Sequence, residues 1–289
     1  MNKTKVWKVV TMGFVCAAFL ATSQAVYCEE SGHGGGHGGG AAHAAPAKSP
    51  TDTVKMVIKG NNEFVAQHNA QYFEPFQKGQ TPSLIVVGCA DSRVHTNLLG
   101  VDPTNNVFMI RNIGNQLVNA EGSVNYGVLH LPNNVLLIMG HSSCGAIQAA
   151  MGDYSKETEG IKAELVPLAE PLKVDTGEGS FEARWAQNIE RNVDYQVAYA
   201  LKLYAGKIKD NSLVVLGAVY DFNNTYGKGR GSLVITNVNG ETNPNKVMSH
   251  PALKGIPVND LVAKVGSLAP DTAYDPALAH GETPCSTHH

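Results

Sequence analysis

The chain lacks a long apolar run. Its longest such stretch, "VVTMGFVCAAFLA", spans about a dozen residues near the N-terminus, too short for a comfortable membrane span of roughly 20. It lacks a basic run and any excess of positive charge. Lys and Arg number 22 against 25 Asp and Glu, for a net charge of −3, so nothing in it suits a nucleic acid surface. No internal repeat is visible. Charged residues are sparse at 16%, and hydrophobic residues make up 43%, the balance of an ordinary globular protein with a sizeable core. Its 289 residues suffice for one large domain or two small ones.

The N-terminus reads as a leader. "MNKTKVWK" supplies three lysines, the short apolar stretch follows, and "SQA" closes it with small residues. This is the layout of a secretory signal peptide over residues 1–25, cleaved after Ala25, and it implies a periplasmic or secreted protein. "AVYC" fits a lipoprotein box poorly, because Tyr27 precedes Cys28 where a small residue is wanted. Loss of Lys3, Lys5 and Lys8 leaves 19 basic against 25 acidic residues. That acidic balance fits an exported enzyme acting on a small solute. Cys16 leaves with the leader, and Cys28, Cys89, Cys144 and Cys285 remain. In an oxidising compartment two disulfides, with three possible connectivities, compete with a metal site for these thiols. Cys28 and Cys285, in polar terminal segments, are expected to pair with each other or across subunits.

Residues 26–50 contain "HGGGHGGGAAHAAPAKSP", a low-complexity linker whose His33, His37 and His43 are weak metal ligands or incidental. Order is expected from Ser49-Pro50, a helix cap followed by proline. An amphipathic helix over 51–68 comes next, with Gly60 as a possible break. Four runs rich in Val, Ile and Leu, at 83–89, 106–112, 134–141 and 212–221, have the near-continuous hydrophobicity of strands covered on both faces. Helical patterns separate them, at 123–131 and, more strongly, at 188–204, where Ile189, Val193, Val197 and Leu201 recur at fourfold spacing. "RGSLVITNV" (230–238) follows a Gly-rich turn and reads as an antiparallel edge. "GKGRGS" is that turn, not a phosphate loop. The expected fold is α/β, with a mostly parallel central sheet of four strands plus an antiparallel edge strand, flanked by helices. It occupies 51–250 and is followed by a C-terminal tail over 251–289.

Chemistry gathers at two strand ends. "GCADSR" (88–93) closes the first apolar run with Cys89, Asp91 and Arg93 at alternate positions, which in extended chain share one side. "MGHSSCGA" closes the third with His141 and Cys144 three residues apart. Ligands gather outside the carboxyl ends of strands in open α/β sheets. Two thiolates and one imidazole with a position left open describe a catalytic zinc site. Either motif alone is weak, but both at ends of parallel strands are much stronger.

"CADSR", "IRNIGN", "GSVNYGVLHL", "MGHSSCGA" and "GAVYD", in this order, resemble a β-class carbonic anhydrase over about 60–221. The resemblance implies Zn2+ held by Cys89, His141 and Cys144, with Asp91 and Arg93 as a catalytic dyad. It further implies a homodimer or higher homo-oligomer with its site near the subunit interface. Gln80, Phe108 and Tyr126 match the substrate-binding residues of the plant-type subgroup. Val86 stands where the other subgroup has tryptophan. His95-Thr96 replace a frequent proline after "DSRV", and Asn125 replaces a frequent glutamate. The implied reaction is the reversible hydration of carbon dioxide to bicarbonate and a proton by zinc-bound hydroxide. Two alternatives stay open: a related zinc hydrolase of carbonyl sulfide or carbon disulfide, and a non-enzymatic periplasmic zinc-binding protein. Arg111 is expected to shape a strand end, and His95, His130 and His250 to be surface or satisfied histidines.

Overall fold

The structure is a computed structural model that describes residues 48–256. Two compact units divide the chain at Val65/Ala66. Helix α1 (Pro50–Gln67) makes up most of what is described of the first. Ser49 accepts from the Asp52 N–H through its Oγ at 3.1 Å, as the cap reading expects, and the helix runs through Gly60 without a break.

The second unit is built on five strands, β1 (Leu84–Cys89), β2 (Val107–Asn112), β3 (Val135–His141), β4 (Val214–Asp221) and β5 (Ser232–Val238). Around them lie α2 (Glu121–His130), α3 (Gly145–Ala150), α4 (Glu159–Leu165), α5 (Phe181–Leu203) and α6 (Pro244–Met248). The sheet order is β2-β1-β3-β4-β5. All neighbours are parallel except β4 and β5, so the α/β fold with an antiparallel edge is as the sequence implies.

The near-continuous apolar runs have a plain cause: the central strands are covered on both faces. Ile85, Val87 and Cys89 of β1 pack into the larger core with Val124 and Val128 of α2 and Val193 and Val197 of α5. The intervening Val86 faces Val94, Leu137, Met139 and Ala218 on the opposite side. Alternate side chains of one strand thus enter two cores. The chain leaves β1 for β2 on one side and returns to β3 on the other. That reversal opens a crevice at the carboxyl ends of β1 and β3, where Cys89 and His141 stand.

Helix α5 begins at Phe181, seven residues ahead of the expected 188, with Ser180 Oγ accepting from the Ala183 N–H. Its first two turns bury nothing completely before Asn188, so no apolar stripe announces them. Helix α4 has no counterpart in the sequence reading. Beyond the expected boundary at 250, Leu253 remains buried against the core of Val238 and Val247. The leader, Cys28, Cys285, most of the linker and most of the tail lie outside the described residues. Among the described residues no helix is long and apolar enough to cross a membrane.

Candidate metal centre

Cys89 is the last residue of β1 and His141 the last of β3, two paired parallel strands. Cys144 follows one tight turn later, directly ahead of α3. That turn needs Ser143 at φ +57°, a left-handed conformation uncommon for a residue with a Cβ. The ligating atoms of Cys89, His141 and Cys144 lie within 4.8 Å of one another. All three side chains are buried.

The donor set fits zinc. Nδ1 of His141 lies 3.0 Å from the Ser142 carbonyl oxygen, so it is the protonated nitrogen, and Nε2 keeps its lone pair. That Nε2 is buried and has no hydrogen-bond partner, a costly state for a polar atom unless an ion takes it. Two sulfurs beside an imidazole are the soft set that zinc accepts, and three protein ligands leave a fourth position for chemistry. Cys89 and Cys144 are free thiols. The hydrogen bond with Cys144 holds the Cys89 thiol down at about 4, with His141 adding to the pull against burial. The same bond, together with burial, pushes Cys144 up. Thiols bind a metal as thiolates, so a dication held here would take the place of thiol protons.

Backbone groups are fixed around the sulfurs. The Gly114 N–H donates to Cys89 Sγ at 3.5 Å. Trp185 Nε1 donates to the Cys144 carbonyl at 2.9 Å. Arg111 of β2 shapes the end of β1, as expected, with Nε on the Cys89 carbonyl at 2.9 Å and Nη2 on the Asp91 carbonyl at 2.6 Å.

Asp91 and Arg93 meet this centre from its open side. Arg93 donates from Nε to Oδ1 at 2.9 Å and from Nη2 to Oδ2 at 2.7 Å, a bidentate pair that lysine cannot form. Asp91 Oδ2 lies 3.9 Å from His141 Nε2, beside the space the three ligands enclose. The Arg93 hydrogen bonds hold the Asp91 carboxyl down at about 2 against some desolvation, so it is ionised at neutral pH. The sequence reading missed the residues behind the dyad. Arg93 Nη2 also donates to the Ser143 carbonyl at 3.1 Å, and the Phe222 ring stands beneath its guanidinium. Phe222 and Asn223 directly follow "GAVYD", whose Tyr220 is in register with His141. That strand end was the available signal.

Gln80, Phe108 and Tyr126 are placed elsewhere in the chain. Phe108 is in register with Ile85, four residues before Cys89 and so about 13 Å away along the strand. The Tyr126 ring lies 6.1 Å from that of Phe108 and is half exposed. Gln80 is exposed ahead of β1, next to Thr81, whose N–H donates to Asn105 Oδ1 near the start of β2 at 2.7 Å. Phe108 is the second residue of β2, Tyr126 lies within α2 and Gln80 precedes β1, so within one chain none stands at the strand carboxyl ends that carry Cys89 and His141. His95 and His130 are exposed, and His250 Nδ1 accepts from the Ala252 N–H, the surface or satisfied roles expected of them.

A cysteine–histidine–cysteine centre with an open position at the carboxyl ends of parallel strands defines a zinc enzyme of the α/β class. Comparison with known proteins narrows it. The family profile for carbonic anhydrase matches residues 84–228. Carbonic anhydrase 2 of Mycobacterium tuberculosis is 29% identical over 187 residues, covering 61% of this chain and 90% of the relative. β carbonic anhydrase 3 of Arabidopsis thaliana is 27% identical over 193 residues, covering 59% and 74%. Among solved structures, the Coccomyxa β-carbonic anhydrase in complex with acetazolamide superposes with a TM-score of 0.52 at 26% identity, covering 61% and 83%. One of two tetrameric β-carbonic anhydrases from Sordaria macrospora gives 0.51 at 27%, covering 59% and 92%. The chain belongs to the β-class carbonic anhydrase family. Its reaction is the reversible hydration of carbon dioxide to bicarbonate and a proton, with zinc as cofactor.

Proposed function

We propose that catalysis runs through the Asp91–Arg93 dyad held in its open arrangement, in a pocket completed by a second copy of the chain. The observation that carries this reading is the bidentate pair whose Asp91 Oδ2 stands 3.9 Å from His141 Nε2. Zinc, when bound by Cys89, His141 and Cys144, supplies a water acidified toward neutral pH. Asp91 would accept a hydrogen bond from that water and orient it toward the substrate. It can do so across the neutral range because Arg93 keeps it ionised. Arg93, bonded to both carboxylate oxygens, would also restrain Asp91 from becoming a ligand itself.

Carbon dioxide needs an apolar wall and one donor for the oxygen that gains charge. Gln80 offers an amide, and Phe108 and Tyr126 offer rings, but none lies at the centre of its own chain. A homodimer that sets the exposed Tyr126 and Leu129 of α2 against a second copy would bring them to the partner's site. The tetrameric state of the Sordaria relatives supports assembly of this kind. Gln80 together with Val86, in place of tryptophan, supports the plant-type subgroup. Residues 1–25 support an exported form with the domain layout read from the sequence.

Zinc storage requires neither an ion-paired carboxylate at the open position nor a donor amide. A sulfur analogue of the substrate would use the same ligands. Stopped-flow hydration of carbon dioxide by the zinc-loaded protein, run beside sulfide release from carbonyl sulfide and carbon disulfide, tests the reading. Rapid hydration with negligible sulfide release is expected, and the reverse would make the protein a sulfur-substrate hydrolase.

A further inference from the structure

Arg93 performs its task from an exposed position. Its side chain is 49% accessible, and an ion pair so placed is weak by itself, since water competes for both partners. Two further contacts keep this long, flexible side chain on Asp91: the Ser143 carbonyl, which accepts from Nη2 at 3.1 Å, and an aromatic ring. The Arg93 Cζ lies 5.0 Å from the centroid of the Phe222 ring, within range of a cation–ring attraction. The same ring meets His141 edge-on, with centroids 5.9 Å apart and planes at 77°. Phe222 thus touches a metal ligand and the dyad arginine at once.

The segment that carries the ring is itself clamped. The Phe222 N–H donates to Ser142 Oγ at 2.7 Å. Asn223 Nδ2 donates to Ser143 Oγ at 2.7 Å, inside the strained turn between His141 and Cys144. Asp221, wholly buried, accepts from the N–H groups of Asn223 and Tyr226 at 3.1 and 2.9 Å. The Tyr220 ring packs edge-on against Phe222 at 4.9 Å. Every side of the ring's mounting is therefore fixed, and its face is turned to the one dyad member that could swing into solvent.

We infer that Phe222 is a positioning residue of this enzyme: its ring holds the Arg93 guanidinium in place, and through it keeps the Asp91 carboxylate oriented. The inference rests on the proposed role of the dyad. It acts through a π face rather than through bulk, which sets its test. Phe222→Tyr keeps the face and Phe222→Leu keeps only apolar volume. With zinc content equal in both variants, kcat for Phe222→Leu should fall about tenfold, the scale of one ring–cation contact, with KM nearly unchanged. Phe222→Tyr should stay within about twofold of the parent, since the ring–cation contact survives. The Arg93 Nε–H, bonded to Asp91 Oδ1, should exchange slowly with solvent in the parent and in Phe222→Tyr and faster in Phe222→Leu, with metal bound or removed.

Protection from exchange retained in Phe222→Leu would overturn the inference, whatever the activities of the two variants. Zinc loss in Phe222→Leu would overturn it too, because the ring would then serve His141 rather than Arg93. Lost protection with undiminished turnover would uphold the positioning and instead refute the role given to the dyad. Should Phe222→Leu fail to fold, Phe222→Met supplies apolar volume without a π face, and the same outcomes apply.

Discussion

Cys144 and Asp91 both adjoin His141, yet their substitution should fail in opposite ways. Cys144→Ser removes one of three ligands and should release most of the zinc. Elemental analysis checks this, and full retention would mean Cys144 is not a ligand. Asp91→Asn leaves the ligands intact, so zinc should stay bound while turnover falls by about a hundredfold, the scale of losing a positioned proton acceptor. An active Asn variant would reduce the carboxylate to a structural part. The same carboxylate has a signature in stability. Its folded pKa, about 2, lies below the roughly 3.9 of an unfolded aspartate. A depressed acid contributes stability above its unfolded pKa and loses it as pH falls through the folded value. In zinc-free protein, the stability difference between parent and Asp91→Asn should be flat from pH 7 to 5. It should then shrink between about 4 and 2, as urea unfolding at each pH would show. A difference as large at pH 2 as at pH 7 would refute the pairing.

Element packing explains why α5 can reach the site. A Cβ at Gly140 of β3 or Gly217 of β4 would come within 2.8 Å of the Val193 side chain. The helix therefore lies directly on glycine backbone, and at its early turns Trp185 reaches the Cys144 carbonyl. Gly217 also sits at the register shift of the β4–β5 pair, and its Cβ would meet Asn237 at 2.9 Å. Gly217→Ala should cost about 1–3 kcal/mol through overpacking and lower the thermal midpoint. An unchanged midpoint would mean that α5 yields freely. The departure at Asn125 belongs to this scale as well. Asn125 Oδ1 accepts from the Tyr204 hydroxyl at 2.8 Å, and Glu121, one turn earlier, accepts from the Tyr199 hydroxyl at 2.6 Å. Asparagine here ties α2 to the end of α5 and does not touch the dyad.

For the whole molecule, the proposed function requires one chain to hold the metal while another supplies the pocket. Subunit mixing separates the two roles. Cys144→Ser lacks metal but has Gln80; Gln80→Ala has metal but lacks the amide. If pockets form across subunits, a mixed dimer carries one intact site, and activity should reappear on mixing at about half the parent value per mixed dimer. If Gln80 serves its own chain, mixing restores nothing. Leu129→Glu, on the exposed face of α2, should shift sedimentation toward monomer and lower turnover without lowering zinc content. A monomer with full turnover would refute the shared pocket.

The sequence by itself determined the parallel sheet, its antiparallel edge, and the metal triad with its dyad. Buried parallel strands leave unmistakable apolar runs, and polar residues at their carboxyl ends stand out against them. It was equally sufficient for Arg111, because a charge inside such a run must be spent on backbone. Only the tertiary structure decided that Phe222 and Asn223 belong to the site, since a ring beside an arginine and an amide beside a serine are relations across 80 or more residues. It also set Phe108 beside Ile85, four strand residues from Cys89. Motif order carries no information about which end of a strand a residue occupies relative to another strand's ligands; register does, and register is a property of the assembled sheet.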